Sequence, residues 1–336
     1  MTQKTRVGLL LSPKDLNHLG ITSYTLSQDH EHVELIQIDK TKPIFEQGPF
    51  SVIVHKISDF VKGYRGGDEL SKSIVLQMLG DDRISDLCLD DPMTVLDLAN
   101  RNLMSLMMER CQFESNGIKV VVPRWVSIES SDDFQRIKDL KISYPLICKV
   151  LCAGEGPGSH AMQLIFNEDQ LNLLELMPCV AQEFKNHEGE IVKIFVYGKR
   201  YFICTRPSVR NFPLNGRPLD RCETVAFDSQ QVSKMSAKTF LNNYQSGFVF
   251  RSSVHNDHII DDSVAVELIQ KVQSQVKCSF IGIDLFVSDD GKQYNLFDVN
   301  FLPSFETIEN KFELFLDVIK HHRSDKLFLN NCYTLL

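Results

Sequence analysis

Residues 278–306 read CSFIGIDLFVSDDGKQYNLFDVNFLPSFE, and this stretch predicts a β-hairpin. Two apolar runs, 280–287 and 293–299, flank a polar turn over 288–292 that contains an Asp-Gly pair. Such a pair between alternating apolar runs is a strong hairpin signal, because glycine accepts the positive φ angle that a tight turn needs. The two strands are therefore expected to lie side by side.

Acidic side chains interrupt both strands of this hairpin. Asp284 stands among isoleucine, leucine and phenylalanine, while Asp298 and Asn300 stand two residues apart in the second strand. Side chains two apart share one face of a strand, so both can face Asp284. An isolated buried carboxylate is costly, so these groups must be paired, hydrogen-bonded or bound to a metal. Two interpretations stay open: a satisfied pair of core acids, or three oxygen ligands for magnesium held jointly with phosphate.

Length and composition indicate a soluble globular protein. The 336 residues suffice for two or three packed subdomains, and 43% hydrophobic with 24% charged residues is ordinary for that class. The net charge of −8 argues against a general nucleic-acid or membrane-surface binder, so neither partner is expected. An acidic protein that binds a polyanion must gather its basic residues in one cleft.

The cysteines and the N-terminal residues indicate the cellular compartment in which the protein is expected. The nine cysteines show neither CxxC pairs nor zinc-site spacing, and the start of the chain reads as neither a signal peptide nor a spanning helix. We therefore expect reduced thiols in a cytoplasmic protein, with the nucleus as a second location.

The N-terminal hundred residues alternate short strands and helices. Apolar runs over 6–11, 33–38 and 51–55 predict strands, and the alternation predicts an open α/β layer with loops at the strand carboxyl ends. Lys14 and Lys56 follow the first and third of these strands, so both are expected at that edge. Solvated surface lysines are the alternative.

Two further segments carry candidate cations. Residues 91–111 predict one amphipathic helix, with Asp91 as N-cap and proline at the first helical position, and it contains Arg101. Lys149 stands in the strand-like run YPLICKVL. Burying an ammonium group requires a partner anion, so Lys149 is a candidate ligand-binding residue.

A glycine-rich segment follows this strand. Residues 153–160 read AGEGPGSH, and three glycines in five residues suit a loop whose backbone amides close over phosphates. Without a following Gly-Lys-Ser/Thr it is not a P-loop, and a surface turn is the alternative.

The hairpin sequences GIDLFV, FDVN and FLPSFE resemble the metal-binding end of the ATP-grasp fold. They are most similar to the inositol polyphosphate kinases of the inositol trisphosphate 5/6-kinase and tetrakisphosphate 1-kinase type. This resemblance implies an α/β (α+β) ATP-grasp fold, with an N-terminal open α/β domain over 1–112. A central ATP-grasp subdomain over 113–210 and a C-terminal one over 211–336, with the metal site, complete the expected organisation.

The resemblance also implies an ATP site. DxxNR, PLICK, QxFxNH, VKIFVYG, RPSVRNF and FDSQQVSK match the family's nucleotide motifs in order along the chain. The ATP-binding residues so implied are Arg101, Lys149, Gln182, Glu183, Phe184, Lys193, Arg206, Ser208, Asn211, Ser229 and Ser233. Asp284, Asp298 and Asn300 are implied as the ligands of Mg²⁺, the cofactor, with ATP as co-substrate.

The resemblance also implies a substrate site. The motifs that match it are LSPK, VIVHKISD, the Ser-His pair at the end of the glycine-rich loop, and FLPSFE. The substrate-binding residues implied are Lys14, Lys56, His160, Lys193, Asn300 and Ser304. The chain departs from the family pattern twice. Gly154-Glu155 stand where an additional histidine is usual, and Ser304 stands where glycine is usual, so Ser304 can crowd a substrate phosphate.

The activity implied is ATP- and magnesium-dependent phosphorylation of inositol polyphosphates. The family acts on inositol 1,3,4-trisphosphate at the 5- or 6-hydroxyl and on inositol 3,4,5,6-tetrakisphosphate at the 1-hydroxyl. Soluble inositol polyphosphates are the expected partners, and a monomer is the family expectation. Two alternatives stay open: another ATP-grasp enzyme, such as a carboxylate–amine ligase, and a non-catalytic nucleotide-binding protein.

Overall fold

The structure is a computed structural model that describes residues 4–152, 158–212, 224–233 and 260–331. The predicted phosphate loop falls mostly at 153–157, outside these residues. In the described part of the chain, no helix is long and apolar enough to cross a bilayer.

Strands and helices alternate through the N-terminal third and then give way to antiparallel strands. The strands are β1 (Thr5–Leu10), β2 (Val33–Gln37), β3 (Val52–His55), β4 (Phe113–Ser115), β5 (Ile118–Val121), β6 (Trp125–Ile128), β7 (Leu146–Val150), β8 (Ala161–Ile165), β9 (Cys179–Glu183), β10 (Glu190–Tyr197), β11 (Arg200–Pro207), β12 (Val225–Asp228), β13 (Phe280–Ser288) and β14 (Gln293–Phe301). The α-helices are α1 (Pro13–His18), α2 (Ser23–Ser27), α3 (Ser58–Arg65), α4 (Glu69–Gly80), α5 (Asp82–Ser85), α6 (Pro92–Leu98), α7 (Arg101–Glu109), α8 (Phe134–Asp139), α9 (Ser229–Ser233), α10 (Asp262–Val276) and α11 (Lys311–Asn331). Short 3₁₀ helices span Phe45–Gln47, Ser131–Asp133, Glu168–Leu173 and Asp289–Gly291.

The N-terminal layer is a parallel sheet of order β2-β1-β3. The predicted strands and their open α/β arrangement are confirmed. The carboxyl ends of β1 and β3 meet at one edge, which is where an open parallel sheet binds ligands. That edge carries α1 after β1 and Lys56 after β3.

Two further sheets make the ATP-grasp part. One has the order β11-β10-β13-β14-β5-β4 and contains the predicted hairpin as β13 and β14. The other has the order β12-β8-β7-β9-β6. Strands are exchanged along the chain, since β10 and β11 join the hairpin sheet while the later β12 joins the other. The predicted domain divisions at 112/113 and 210/211 stay a prediction.

The single helix predicted over 91–111 is wrong, because α6 and α7 are separate helices. Asp91 caps α6 as expected, by accepting from the Thr94 N–H at 2.8 Å. The chain then turns extended at Asn100, whose side chain accepts from the N–H groups of Asn102 and Leu103 and begins a new helix. The Arg101 N–H donates to the Leu151 carbonyl at 2.9 Å, so a tertiary bond decides the break.

The N-terminal layer and the hairpin sheet share a hydrophobic core. Apolar residues of β1, β3 and α4–α7 pack with those of β10, β13, β14 and α10. A second cluster joins β1 and α1 to α11 through Phe280, Phe305 and Phe315. The smaller sheet has its own core with α8. The N-terminal edge is therefore fixed against the sheet that carries the acidic hairpin.

Candidate functional site

A pocket of about 920 Å³, open mouth included, lies between the two ATP-grasp sheets. Its walls come from β7 and β9 on one side and from β10, β11, β13 and β14 on the other. It brings together Lys149, Gln182, Glu183, Phe184, Lys193, Arg206, Ser208, Ser229, Asp284 and Asp298, all predicted site residues. The floor of the pocket is apolar and its inner end is charged, a division that suits a flat base attached to phosphates.

Asp284 and Asp298 lie directly opposite each other on β13 and β14. A bulge follows at once, since Leu285 pairs with Leu296, and it re-aims the second strand beside the two acids. The Asn300 amide nitrogen lies 2.9 Å from Asp284 Oδ2 and 3.4 Å from Asp298 Oδ2. The three side chains predicted to share one face are therefore together.

This trio fits a hard divalent cation. Asp298 Oδ1 is buried and accepts no hydrogen bond from the described residues, while Asp284 Oδ1 is buried beside the ammonium of Lys193. The Asn300 amide donates to both carboxylates, which leaves its oxygen as a third donor for a metal. Among the described residues no three His, Cys, Asp or Glu side chains cluster, so two carboxylates and one amide are what the site offers. Oxygen donors without nitrogen or sulfur favour magnesium over zinc.

Lys193 compensates the first of these acids. Its ammonium lies 2.9 Å from Asp284 Oδ1 and 3.0 Å from Oδ2, across the register pair that the two residues form on β10 and β13. Burial, opposed by this ammonium, raises the pKa of Asp284. Gly282 makes room for the lysine stem, because a Cβ there would lie 3.2 Å from Lys193 Cε.

Lys149 is buried in the middle of β7, as the sequence predicts. Its ammonium donates to Gln182 Oε1 at 2.9 Å and to the Phe297 carbonyl at 3.4 Å. Burial lowers the pKa of Lys149 to about 8, despite the attraction of Asp298. Among the residues that the structure describes, both hydrogen-bond acceptors of this ammonium are neutral, so an anion that enters the pocket would gain a strong partner.

Arg101 reaches the same place from the N-terminal layer. It begins α7 at the break in the predicted helix, its side chain is buried, and Nη1 lies 3.6 Å from Asp298 Oδ1. Its Nε and Nη1 groups make no hydrogen bond to any residue that the structure describes. Because buried donors without acceptors are costly, their orientation beside the acids points to an anionic ligand.

Arg206 shows the same pattern from β11. Its Nε and Nη2 groups are buried without a hydrogen-bond acceptor, and its ion pair with the exposed Glu306 is long, at 3.7 Å. Its guanidinium lies over the Phe195 ring at 5.5 Å. Arg101 and Arg206 therefore present buried guanidinium donors from two different elements, the helix α7 and the strand β11.

The predicted adenine-binding segment, 182–184, comprises the last two residues of β9 and Phe184, which follows the strand. The Glu183 carboxylate accepts from the Ser143 N–H at 2.8 Å and from Arg124 at 2.6 Å, and pairs with Lys185 at 3.2 Å. Burial alone would raise the pKa of Glu183, but these hydrogen bonds and charges lower it. The side chain thus holds the segment in place, while Phe184 contributes ring surface to the pocket.

Ser208 and Asn211 divide between pocket and loop. Ser208 lines the pocket and its hydroxyl lies 2.8 Å from His187 Nε2. Asn211 instead accepts from the N–H groups of His187 and Glu188 and donates to the Glu188 carboxylate at 2.7 Å. Its amide therefore shapes the loop between β9 and β10, rather than lining the pocket as predicted.

His160 and the serines of α9 lie on the other side of the opening. The Ser229 N–H donates to the His160 carbonyl at 3.0 Å, and Ser229 lines the pocket. Ser233 is the last residue of α9. Burial lowers the pKa of His160, whose charged surroundings also include Asp228, Arg101, Lys14 and Asp298. His160 therefore contacts α9, since its ring Nε2 also lies 2.9 Å from the Gln230 side-chain amide.

The N-terminal edge carries a buried acid that the sequence did not reveal. Asp15, in the first turn of α1, is fully buried, and its Oδ1 accepts from Lys56 at 2.7 Å. Ser12, the N-cap of α1, donates its hydroxyl to Asp15 Oδ2. Lys14 is exposed, while Lys56 is largely buried by these partners. Ser304 follows β14 and is half-buried.

Two family models match the chain. Residues 114–321 match the inositol 1,3,4-trisphosphate 5/6-kinase ATP-grasp domain, and residues 6–80 match the pre-ATP-grasp domain of the same kinase. The chain belongs to the inositol 1,3,4-trisphosphate 5/6-kinase family. This membership confirms the ATP-grasp fold and the kinase class that the motifs implied.

Named relatives of this kinase family extend over nearly the whole chain. Inositol-tetrakisphosphate 1-kinase of Danio rerio is 28% identical over 94% of this chain and 78% of its own length. Inositol-tetrakisphosphate 1-kinase 2 of Glycine max is 28% identical over 90% of each chain.

Solved structures agree on the fold. A D-alanine–D-alanine ligase from Bacillus anthracis superposes with a TM-score of 0.56 over 96% of this chain and 99% of its own, at 14% identity. The ATP-grasp ligase PsnB, complexed with a phosphomimetic precursor variant, Mg and ADP, superposes with a TM-score of 0.52 over 96% of this chain and 98% of its own, at 11% identity. At these identities the likeness concerns the ATP-grasp fold alone.

Proposed function

We propose that the protein transfers the γ-phosphate of ATP to a hydroxyl of a soluble inositol polyphosphate. One observation carries this proposal: two acids and four buried or half-buried cations lie together at the pocket. The acids are Asp284 and Asp298, and the cations are Lys149, Lys193, Arg101 and Arg206. Both arginines offer buried donors without acceptors. A nucleoside triphosphate and a phosphorylated acceptor supply the negative charge that this arrangement lacks.

ATP is oriented by the pocket itself. The adenine would lie along 182–184 beside Phe184, and the phosphates would point inward to Lys149, Lys193 and Arg206. Asp284, Asp298 and Asn300 would hold magnesium, which supplies charge neutralisation at the β- and γ-phosphates. Asp298 Oδ1, buried without a hydrogen bond from the described residues, supports this assignment.

The inositol would bind where the N-terminal edge meets the hairpin. Lys14, His160 and Lys193, with Asn300 and Ser304 near the acids, border that space, and Lys56 lies behind them. Phosphoryl transfer through a loose transition state requires alignment and charge neutralisation above all, so a dedicated general base is not needed. Phosphorylation at the 5- or 6-hydroxyl of inositol 1,3,4-trisphosphate, or at the 1-hydroxyl of the 3,4,5,6-tetrakisphosphate, is the family reaction we propose.

A ligase is the second candidate, because the superposed solved structures named above are ATP-grasp ligases. It would need a carboxylate and an amine beside the γ-phosphate. The cations at the N-terminal edge instead suit a phosphorylated acceptor, which favours the kinase.

The test is ADP formation with magnesium against a panel of inositol tris- to hexakisphosphates, with the products resolved by anion-exchange chromatography. We expect a product with one more phosphate than its substrate. ATP binding without turnover on any member of the panel would contradict the kinase. ADP formation that requires an amine acceptor would replace it with the ligase.

A further inference from the structure

At the N-terminal edge, where the substrate is proposed to bind, acidic side chains offset the positive charge of Lys56. Lys56 follows β3 and its side chain is only 11% exposed. Its ammonium lies 2.7 Å from Asp15 Oδ1 and 3.9 Å from Asp59 Oδ1. Two carboxylates therefore face one ammonium, and the positive charge of Lys56 is cancelled locally.

The position of Asp15 is fixed by its surroundings. Its exposed fraction is 0%, and its backbone N–H donates to Ser12 Oγ at 3.2 Å while Ser12 donates back to its carboxylate. His18 Nδ1 lies 3.6 Å from Oδ1 on the next turn of the helix. Separating a fully buried carboxylate from the ammonium that pairs with it would be costly, so a ligand phosphate does not readily displace Asp15 from Lys56.

This ion pair lies at the edge where the substrate is proposed to bind. β1 and β3 run parallel with Leu10 opposite His55, so α1 and Lys56 emerge side by side from the sheet. Lys14, adjacent to Asp15, is exposed on the same turn of α1. An incoming polyanion thus meets Lys14 directly, but finds Lys56 already held by an acid.

We propose that Asp15 is a specificity-determining residue, which withholds the Lys56 charge from the substrate and so favours inositols with fewer phosphates. The inference rests on the proposed function. A lysine released from its carboxylate would offer one further charge-assisted hydrogen bond to phosphate. A trisphosphate can be held by the remaining cations, whereas a pentakisphosphate would gain from the additional one.

Equilibrium binding tests this role separately from turnover. Isothermal titration calorimetry on the full chain, with magnesium and a non-hydrolysable ATP analogue, would compare inositol 1,3,4-trisphosphate with an inositol pentakisphosphate. For Asp15→Asn we expect the pentakisphosphate to bind about tenfold more tightly relative to the trisphosphate, as for one added bond to a charged group. Glu114→Gln, on the edge strand β4, changes net charge equally and should leave this ratio as in wild type.

Two further variants keep the test decisive if Asp15→Asn folds poorly. Asp15→Asn/Lys56→Met removes both charges, and the wild-type ratio should return because the gain requires a released Lys56. Asp59→Asn removes the more distant acid and should shift the ratio in the same direction by a smaller factor. An unchanged ratio in both folded single variants, or a gain that persists in the double variant, overturns the role of Asp15. Failure of the wild type to bind either inositol overturns the proposed function and this role with it.

Discussion

Lys193 and Asp284 form an ion pair across neighbouring strands, with the ammonium 2.9 Å from Oδ1 and 3.0 Å from Oδ2 of the carboxylate. The pair joins a cation implied for ATP and substrate to an acid implied for the metal. A metal ion bound to Asp284 would compete with Lys193 for the two carboxylate oxygens. Part of the Lys193 charge would then be available to a phosphate. Lys193 and Asp284 thus offset each other's charge, and a bound metal and nucleotide together would replace that compensation.

The acidic hairpin should be essential for turnover. In Asp298→Asn one carboxylate ligand is lost with little change of shape, and we expect turnover to fall at least about a hundredfold, since metal ligation supplies several kcal/mol of charge stabilisation. The magnesium concentration for half-maximal rate should rise as well. Asp290→Asn, in the exposed turn of the same hairpin, is the matched control. Full activity in Asp298→Asn would refute the metal site.

Lys149 should make ATP binding depend on pH. Burial lowers its pKa to about 8, because burial disfavours the ammonium. ATP phosphates favour the charged form, so binding near pH 8 should take up protons and affinity should decline above that pH. Calorimetry in buffers of different ionisation enthalpy measures the uptake. Lys149→Arg, which stays charged, should abolish it; persistence of the uptake would assign it to another group.

The same residue should leave a signature in stability. The folded-state pKa of Lys149, about 8, lies below its ordinary value of 10.5, so the unfolded chain binds more protons between these values. Below about pH 8 the burial of Lys149 therefore lowers the free energy of unfolding, and this penalty shrinks as the pH rises from about 8 to 10.5. Across this range the free energy of unfolding increases by at most about 1.4 kcal/mol per pH unit. Denaturant titrations of wild type and Lys149→Met across this range measure the difference, and parallel curves would contradict the burial of a charged lysine.

Arg101 should contribute to ATP binding from the N-terminal layer. Replacing it with methionine removes two buried N–H donor groups that have no acceptor among the described residues. We therefore expect ATP affinity to fall about tenfold or more, which corresponds to about 1.4 kcal/mol of binding free energy. The pKa of Lys149 should rise, because Arg101 is one of the charges that lower it. Arg110→Met, exposed at the end of the same helix, is the control. If ATP affinity and the pKa of Lys149 were both unchanged in Arg101→Met, Arg101 would not belong to the ATP site.

Gly282 should matter for the position of Lys193. A methyl group there would lie 3.2 Å from both Lys193 Cε and Pro303 Cγ, so the lysine stem must shift by a few tenths of an ångström. We expect Gly282→Ala to lower turnover about tenfold, since small misplacements at a reacting centre are costly. Gly291→Ala in the hairpin turn has open space but a φ of +89°, so it should cost stability and spare turnover. Equal turnover losses in both variants would contradict this role.

The hairpin was predictable because its local signals agreed. The Asp-Gly turn indicates the pairing of β13 with β14, but that register alone would place Phe297 opposite Asp284. The bulge between Asp284 and Leu285 shifts the register by one residue and brings Asp298 opposite Asp284, and the sequence gives no sign of it. The buried Lys149 followed from its apolar neighbours alone.

Other features were decided by contacts distant in sequence. The break at Asn100 depends on the carbonyl of Leu151, and helix propensity around it is continuous. The burial of Asp15 depends on Lys56, 41 residues away, and a polar residue in a first helical turn carries no sign of it. Likewise, Asn211 reads as a nucleotide ligand from its motif, whereas its hydrogen bonds go to the loop at 187–188.

The most direct test of the central claim follows the γ-phosphate itself. Wild type and Asp298→Asn would be incubated with γ-labelled ATP, magnesium and inositol 1,3,4-trisphosphate, and the label traced after a single turnover. We predict that wild type moves the label onto the inositol and that the variant does not. Label that stays on ATP, or that appears only as free phosphate when an amine acceptor is supplied, would contradict an inositol phosphate kinase.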